Sequence, residues 1–179
     1  MTRSNSFALM LVLQAMFFII SIQARHSITF HPNNNRDMIQ ALCSNAPHND
    51  LLCIRVLSPH SDDNLDLWGL SAFMVNEMEA VANGALDAMQ QLERNGMGTK
   101  EGFASCREKY NTILVADIPK VREALEKRDS KISEVPLNDA LNKAEKCEAD
   151  FSDMIRIQNK DMRDLAGDTE YLLIYASIF

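Results

Sequence analysis

From Leu67 onward the chain places an apolar residue every three or four positions for nearly all its remaining length, and this period limits its fold. Leu67, Leu70, Met74, Met78, Val81, Ala85, Leu86, Met89 and Leu92 make one stripe along a helix of 3.6 residues per turn. Asn64 or Asp66 can cap its start, and Asn95-Gly96 followed by Gly98 stops it. A second stripe runs Phe103, Cys106, Tyr110, Ile113, Leu114, Val121 and Leu125. Pro119 falls inside it, which predicts a kink or a restart with Asp117 as the new cap. A third stripe opens after Pro136 (Leu137, Leu141, Ala144, Cys147, Phe151, Met154, Ile155), and a fourth runs Met162, Leu165, Ala166, Thr169, Leu172, Leu173 and Ala176. Gly (6), Pro (5) and aromatics (7%) are too scarce for a strand-rich sandwich. The expected class is all-α: an up-down-up-down four-helix bundle over residues 61–179.

Ahead of the bundle, Arg36 to Leu57 reads as two short helical pieces folding back at Asn45-Ala46-Pro47, an N-terminal hairpin extension within residues 25–60. Such a pair buries no core alone and needs a staple. Residues 1–24 read as a secretory signal peptide: Arg3 supplies the positive start, and Phe7 to Ile22 is apolar apart from Gln14 and Ser21. A retained signal anchor is the competing reading. Export makes Cys43, Cys53, Cys106 and Cys147 two disulfides, with three pairings open. A local hairpin across Pro47 favours joining Cys43 to Cys53, which leaves Cys106 and Cys147 to tie two long helices.

A net charge of −7 argues against nucleic acid as a partner. His26, His31, His48 and His60 all precede the bundle and show no i, i+4 pairing, so no metal site is expected. Asp62-x-Asn64-x-Asp66 starts like a calcium loop but has Leu67 and Phe73 where glycine and glutamate belong. No catalytic motif, phosphate loop or cofactor signature occurs, and Glu77/Glu79 and Glu145/Glu148 read as solvated helix faces. Met74, Met78 and Met89 read as core filler rather than a lipid pocket, and Trp68 as a packing anchor against the hairpin.

Several segments in order carry a resemblance. They are Cys43-Ser-Asn-Ala-Pro-His-Asn-Asp-Leu-Leu-Cys53, Val75-Asn-Glu-Met, Ala82-Asn-Gly-Ala, Cys106-Arg-Glu-Lys-Tyr110, Lys146-Cys147-Glu-Ala-Asp-Phe151 and Asn159-Lys160-Asp161. Together they resemble the plant invertase and pectin methylesterase inhibitor family, from about Asp37 to the C-terminus. The resemblance implies a single inhibitor domain over 25–179, bridges Cys43–Cys53 and Cys106–Cys147, and no enzymatic activity of the chain's own. Invertase inhibitors carry a Gly-Asp-Pro-Lys-Phe-Ala-Glu type segment; the matching stretch is Arg128-Asp129-Ser130-Lys131-Ile132-Ser133-Glu134, where serine replaces proline and isoleucine replaces phenylalanine. It implies a secreted inhibitor of invertase in the apoplast or vacuole, with a loop bearing Asp129, Ser130, Lys131, Ile132 and Glu134 against the target. Lys131 would plug a cleft of paired carboxylates, Asp129 would orient the loop and Ile132 would fill an apolar subsite. For pectin methylesterase, the alternative target, Glu108, Lys109 and Asn111 on the helix faces would matter more. A four-helix signalling ligand or an apolar-ligand carrier is the reading from another class.

Overall fold

The computed structural model describes residues 35–48, 50–151 and 155–178; the signal peptide read over residues 1–24 lies outside them. Helices α1 (Asn35–Ser44) and α2 (Asp50–Leu57) form the N-terminal hairpin, followed by a 3-10 turn (Ser58–His60). The bundle consists of α3 (Leu67–Arg94), α4 (Lys100–Thr112), α5 (Ile118–Lys127), α6 (Ser130–Phe151) and α7 (Arg156–Ala176). A π-helical turn, Ile113–Asp117, joins α4 and α5 into one long helix. No strand occurs among the described residues.

Local chemistry sets most of the boundaries. Asp66 caps α3, its carboxylate accepting the Gly69 N–H at 2.9 Å. At the far end Gly96 takes φ +69°, a conformation that suits a residue without Cβ, and the Met97 N–H reaches back to the Leu92 carbonyl at 3.0 Å. Thr99 caps α4 through the Gly102 N–H at 3.1 Å. Arg128, left-handed at φ +51°, ends α5.

The restart expected at Pro119 and the helix opening expected after Pro136 both need revision. Pro119 has no N–H and its ring opposes the carbonyl four residues back. The helix answers by widening rather than stopping: the Ile118 N–H bonds to the Ile113 carbonyl, five residues away. Asp117 makes no cap hydrogen bond; its buried carboxylate instead accepts from Lys143 Nζ at 2.7 Å. Helix α6 opens at Ser130, not after Pro136, and carries that proline in its interior.

Helix α3 packs against the α4–α5 unit, that unit against α6, α6 against α7, and α7 back against α3. Short connections between successive packed helices close this ring as an up-down-up-down bundle. The four stripes meet inside: Leu70, Met74, Met78 and Met89 of α3 face Phe103, Tyr110, Leu137, Met162, Leu165 and Leu172 in one core. The methionines are fully buried there, and Trp68 is half-buried against the same core. Tyr110 donates to Asn159 Oδ1 at 2.8 Å, which supplies a partner for a buried phenol. Burial, and next the charge of Glu148, push the Tyr110 pKa well above its ordinary value.

The structure joins Cys43 to Cys53 and Cys106 to Cys147, with Cα–Cα distances of 5.4 and 5.0 Å. The first bridge closes the α1–α2 hairpin and the second ties α4 to α6. The hairpin turn rests on α7: the His48 N–H donates to Asp168 Oδ1 at 3.1 Å, and the His48 ring occupies the space that a Cβ on Gly167 would need.

Candidate functional site

The segment 128–134 proves to be a two-residue turn followed by the first turn of a helix, rather than a loop. The Arg128 N–H bonds to the Leu125 carbonyl at 3.2 Å and the Asp129 N–H to the Ala124 carbonyl at 3.0 Å. Asp129 then caps α6, with Oδ1 accepting the Lys131 N–H at 3.0 Å and its carbonyl accepting the Ile132 N–H at 3.2 Å. Ser130 stands at the first helical position, and its carbonyl accepts from Ser133 Oγ at 2.6 Å.

Five sequence-flagged residues therefore sit together with distinct fates. Lys131 and Glu134 are exposed, Asp129 is exposed but engaged as a cap, Ser130 and Ile132 are half-buried, and Ser133, which follows Ile132, is buried. Ile132 turns partly toward the bundle, which weakens it as the apolar contact. Val135 is 66% exposed and lies four residues beyond Lys131, on the same helix face. A stripe that opens only after Pro136 gives Val135 no helix face, whereas the helix from Ser130 does. Extending the helical period back to Ser130 would have found it.

Lys131 carries its charge at the N-terminus of α6, next to the Asp129 carboxylate that caps it. No acidic side chain lies in the first turn of α6, and among the described residues nothing pairs with the Lys131 ammonium. A cation at a helix N-terminus opposes the helix dipole, by about 0.3–1 kcal/mol. Arg128, beside it, is differently placed: its Nη2 donates to Asp66 Oδ2 at 2.7 Å, bridging the turn to the α3 cap.

The alternative surface on α4 is less free. Glu108 and Asn111 are exposed, but Lys109 Nζ is held by Ser105 of its own helix. A depression of about 320 Å3 lies between α2 and α3, lined by Arg55, Val56, Pro59, His60, Phe73, Asn76 and Glu77, and none of the three buried methionines lines it. Among the described residues no three His, Cys, Asp or Glu side chains gather as a metal site, and Asp66 is committed to its cap and ion pair.

What the fold defines is a disulfide-bridged four-helix bundle carrying a helical hairpin, with an unpaired cation at one interhelical turn. The family model for plant invertase/pectin methylesterase inhibitors matches residues 37–170, and the chain belongs to that family: it is an inhibitor protein, not an enzyme. Cell wall / vacuolar inhibitor of fructosidase 1 of Arabidopsis thaliana is 26% identical over 144 residues, which span 79% of this chain and 70% of that protein. Pectinesterase inhibitor 12 of Oryza sativa subsp. japonica is also 26% identical, over 145 residues, 77% of this chain and 70% of that protein. A crystal structure of a mutant form of an Arabidopsis pectin methylesterase inhibitor shares the fold, with a TM-score of 0.65 at 19% identity over 76% of this chain and 95% of that one.

Proposed function

We propose that this chain is an exported inhibitor of a plant invertase, a β-fructofuranosidase of the cell wall or vacuole, and that it acts by obstruction. The observation that carries this reading is Lys131: an ammonium exposed in the first turn of a helix beside the Asp129 cap, with no partner among the described residues. A glycosidase cleft lined by carboxylates offers the missing partner, and desolvation in the cleft strengthens the charge-assisted bond. The Asp129 cap fixes the backbone under Lys131 before docking, so less ordering is required on binding. Val135 supplies apolar surface on the same face.

The test is inhibition of purified plant invertase and, separately, of pectin methylesterase at about pH 5 by the mature protein and by Lys131→Glu. We expect stoichiometric inhibition of invertase that Lys131→Glu abolishes. The variant should fold and melt no lower than the parent, because a glutamate there favours the dipole. Inhibition of pectin methylesterase alone, or undiminished invertase inhibition by Lys131→Glu, would overturn the reading.

A further inference from the structure

We propose that Asp66, on a different helix from the contact face, is a positioning residue for Lys131 and acts through Arg128. The proposal rests on the invertase reading above. Hydrogen bonds from the Arg128 and Asp129 amides to α5 carbonyls and the Asp129 cap on α6 fix the backbone of the turn. They do not decide where its two cationic side chains go. Arg128 is adjacent to Asp129 in sequence and three residues from Lys131. A guanidinium released at this point has the adjacent Asp129 carboxylate as an alternative partner, and taking it would compete with the Lys131 N–H for the cap. It would also set a second positive charge beside the ammonium.

Asp66 removes both problems. Its Oδ2 holds the Arg128 guanidinium at 2.7 Å while its Oδ1 accepts from Gly69, so one side chain anchors the turn to the N-terminus of α3. The anchor is itself rigid, because the cap fixes the Asp66 rotamer before the ion pair forms. Arg128 is thereby drawn over α3, Asp129 is left to cap α6, and Lys131 projects alone. The cap and the ion pair use different oxygens, so they can be separated by mutation: asparagine caps a helix as well as aspartate does but carries no charge for Arg128.

The experiment compares invertase inhibition constants for Asp66→Asn, Arg128→Gln, the double variant, Arg128→Lys and Lys131→Glu, each with its melting midpoint. An exposed ion pair commands a modest effect. We expect each single neutral variant to weaken inhibition about three- to fivefold, the double to be no worse than either single, Arg128→Lys to recover most of the loss, and melting midpoints to stay together. Additive losses in the double variant, unchanged inhibition in Asp66→Asn, or a fall in melting midpoint that accounts for the loss would overturn the positioning role. Lys131→Glu separates the two levels. If it abolishes inhibition while the Asp66 and Arg128 variants match the parent, the tether fails and the plug stands; if it changes nothing, the plug itself fails.

Discussion

Ser130 occupies the first helical position of α6, where a backbone N–H has no intrahelical partner to lose. Proline is well suited to that position, since its fixed φ matches the helix. Its carbonyl could still accept from Ser133 Oγ as the serine carbonyl does. Ser130→Pro is expected to raise stability by about 0.4–1 kcal/mol through the unfolded state and to tighten invertase inhibition; denaturant midpoints and inhibition constants check the two effects separately. Tyr110 sets the opposite case. Its hydroxyl satisfies Asn159 Oδ1, while Asn159 Nδ2 is buried with no partner already. Tyr110→Phe would leave the whole Asn159 amide unpaired in the core, a loss of about 1–3 kcal/mol readable by urea unfolding. Lys131 and Tyr110 were both legible in the sequence, the first by likeness to a segment and the second by its place in a stripe. Asp66 was legible as a cap and Asn159 within a segment, but their pairings with Arg128 and Tyr110 join positions far apart in the chain and left no local pattern.

Among the elements, helix periodicity located every stripe but mishandled the prolines. The chain keeps its helix through Pro119 because the π turn absorbs the ring, and packing of Ile113, Ile118 and Val121 in the core repays the distortion. Through Pro136 it does so because Ser133, Leu137 and Ala140 are buried on the bundle side, and one lost hydrogen bond weighs less than that apolar contact. The bridges act at this scale as well. They span 10 and 41 residues, so the loop-entropy model assigns about 2.5–3 kcal/mol to Cys43–Cys53 and about 4 kcal/mol to Cys106–Cys147. Replacing Cys106 and Cys147 by serine should lower the unfolding free energy of the whole bundle. The Cys43/Cys53 pair of serines should loosen chiefly the α1–α2 hairpin, detected as faster amide exchange there.

For the molecule as a whole, two carboxyls with raised pKa, Asp117 and Asp161, set a pH dependence of stability. Burial pushes Asp117 up from its ordinary value of 3.8, with the Lys143 hydrogen bond and charge pulling it back and Asp139 adding to the rise. Burial raises Asp161 likewise, opposed by Arg55. A carboxyl whose folded-state pKa exceeds its unfolded value binds its proton more tightly when folded. Its contribution to stability therefore falls as pH rises from 3.8 through the folded pKa, and levels off above it. The parent should lose stability relative to Asp117→Asn over that interval and run parallel to it at higher pH, as measured by denaturant midpoints at a series of pH values.

The sequence by itself determined the helical class, the number and order of bundle helices and the hairpin ahead of them, because apolar period, cap residues and glycine stops are local properties of the chain. Only the tertiary structure decided that Pro119 and Pro136 stay inside helices, that Asp117 answers to Lys143, and that Ile132 turns inward while Val135 turns out. It alone brought Asp66 to Arg128 across 62 positions. Burial and charge pairing depend on which faces meet, and that is fixed when the bundle closes rather than by any single helix.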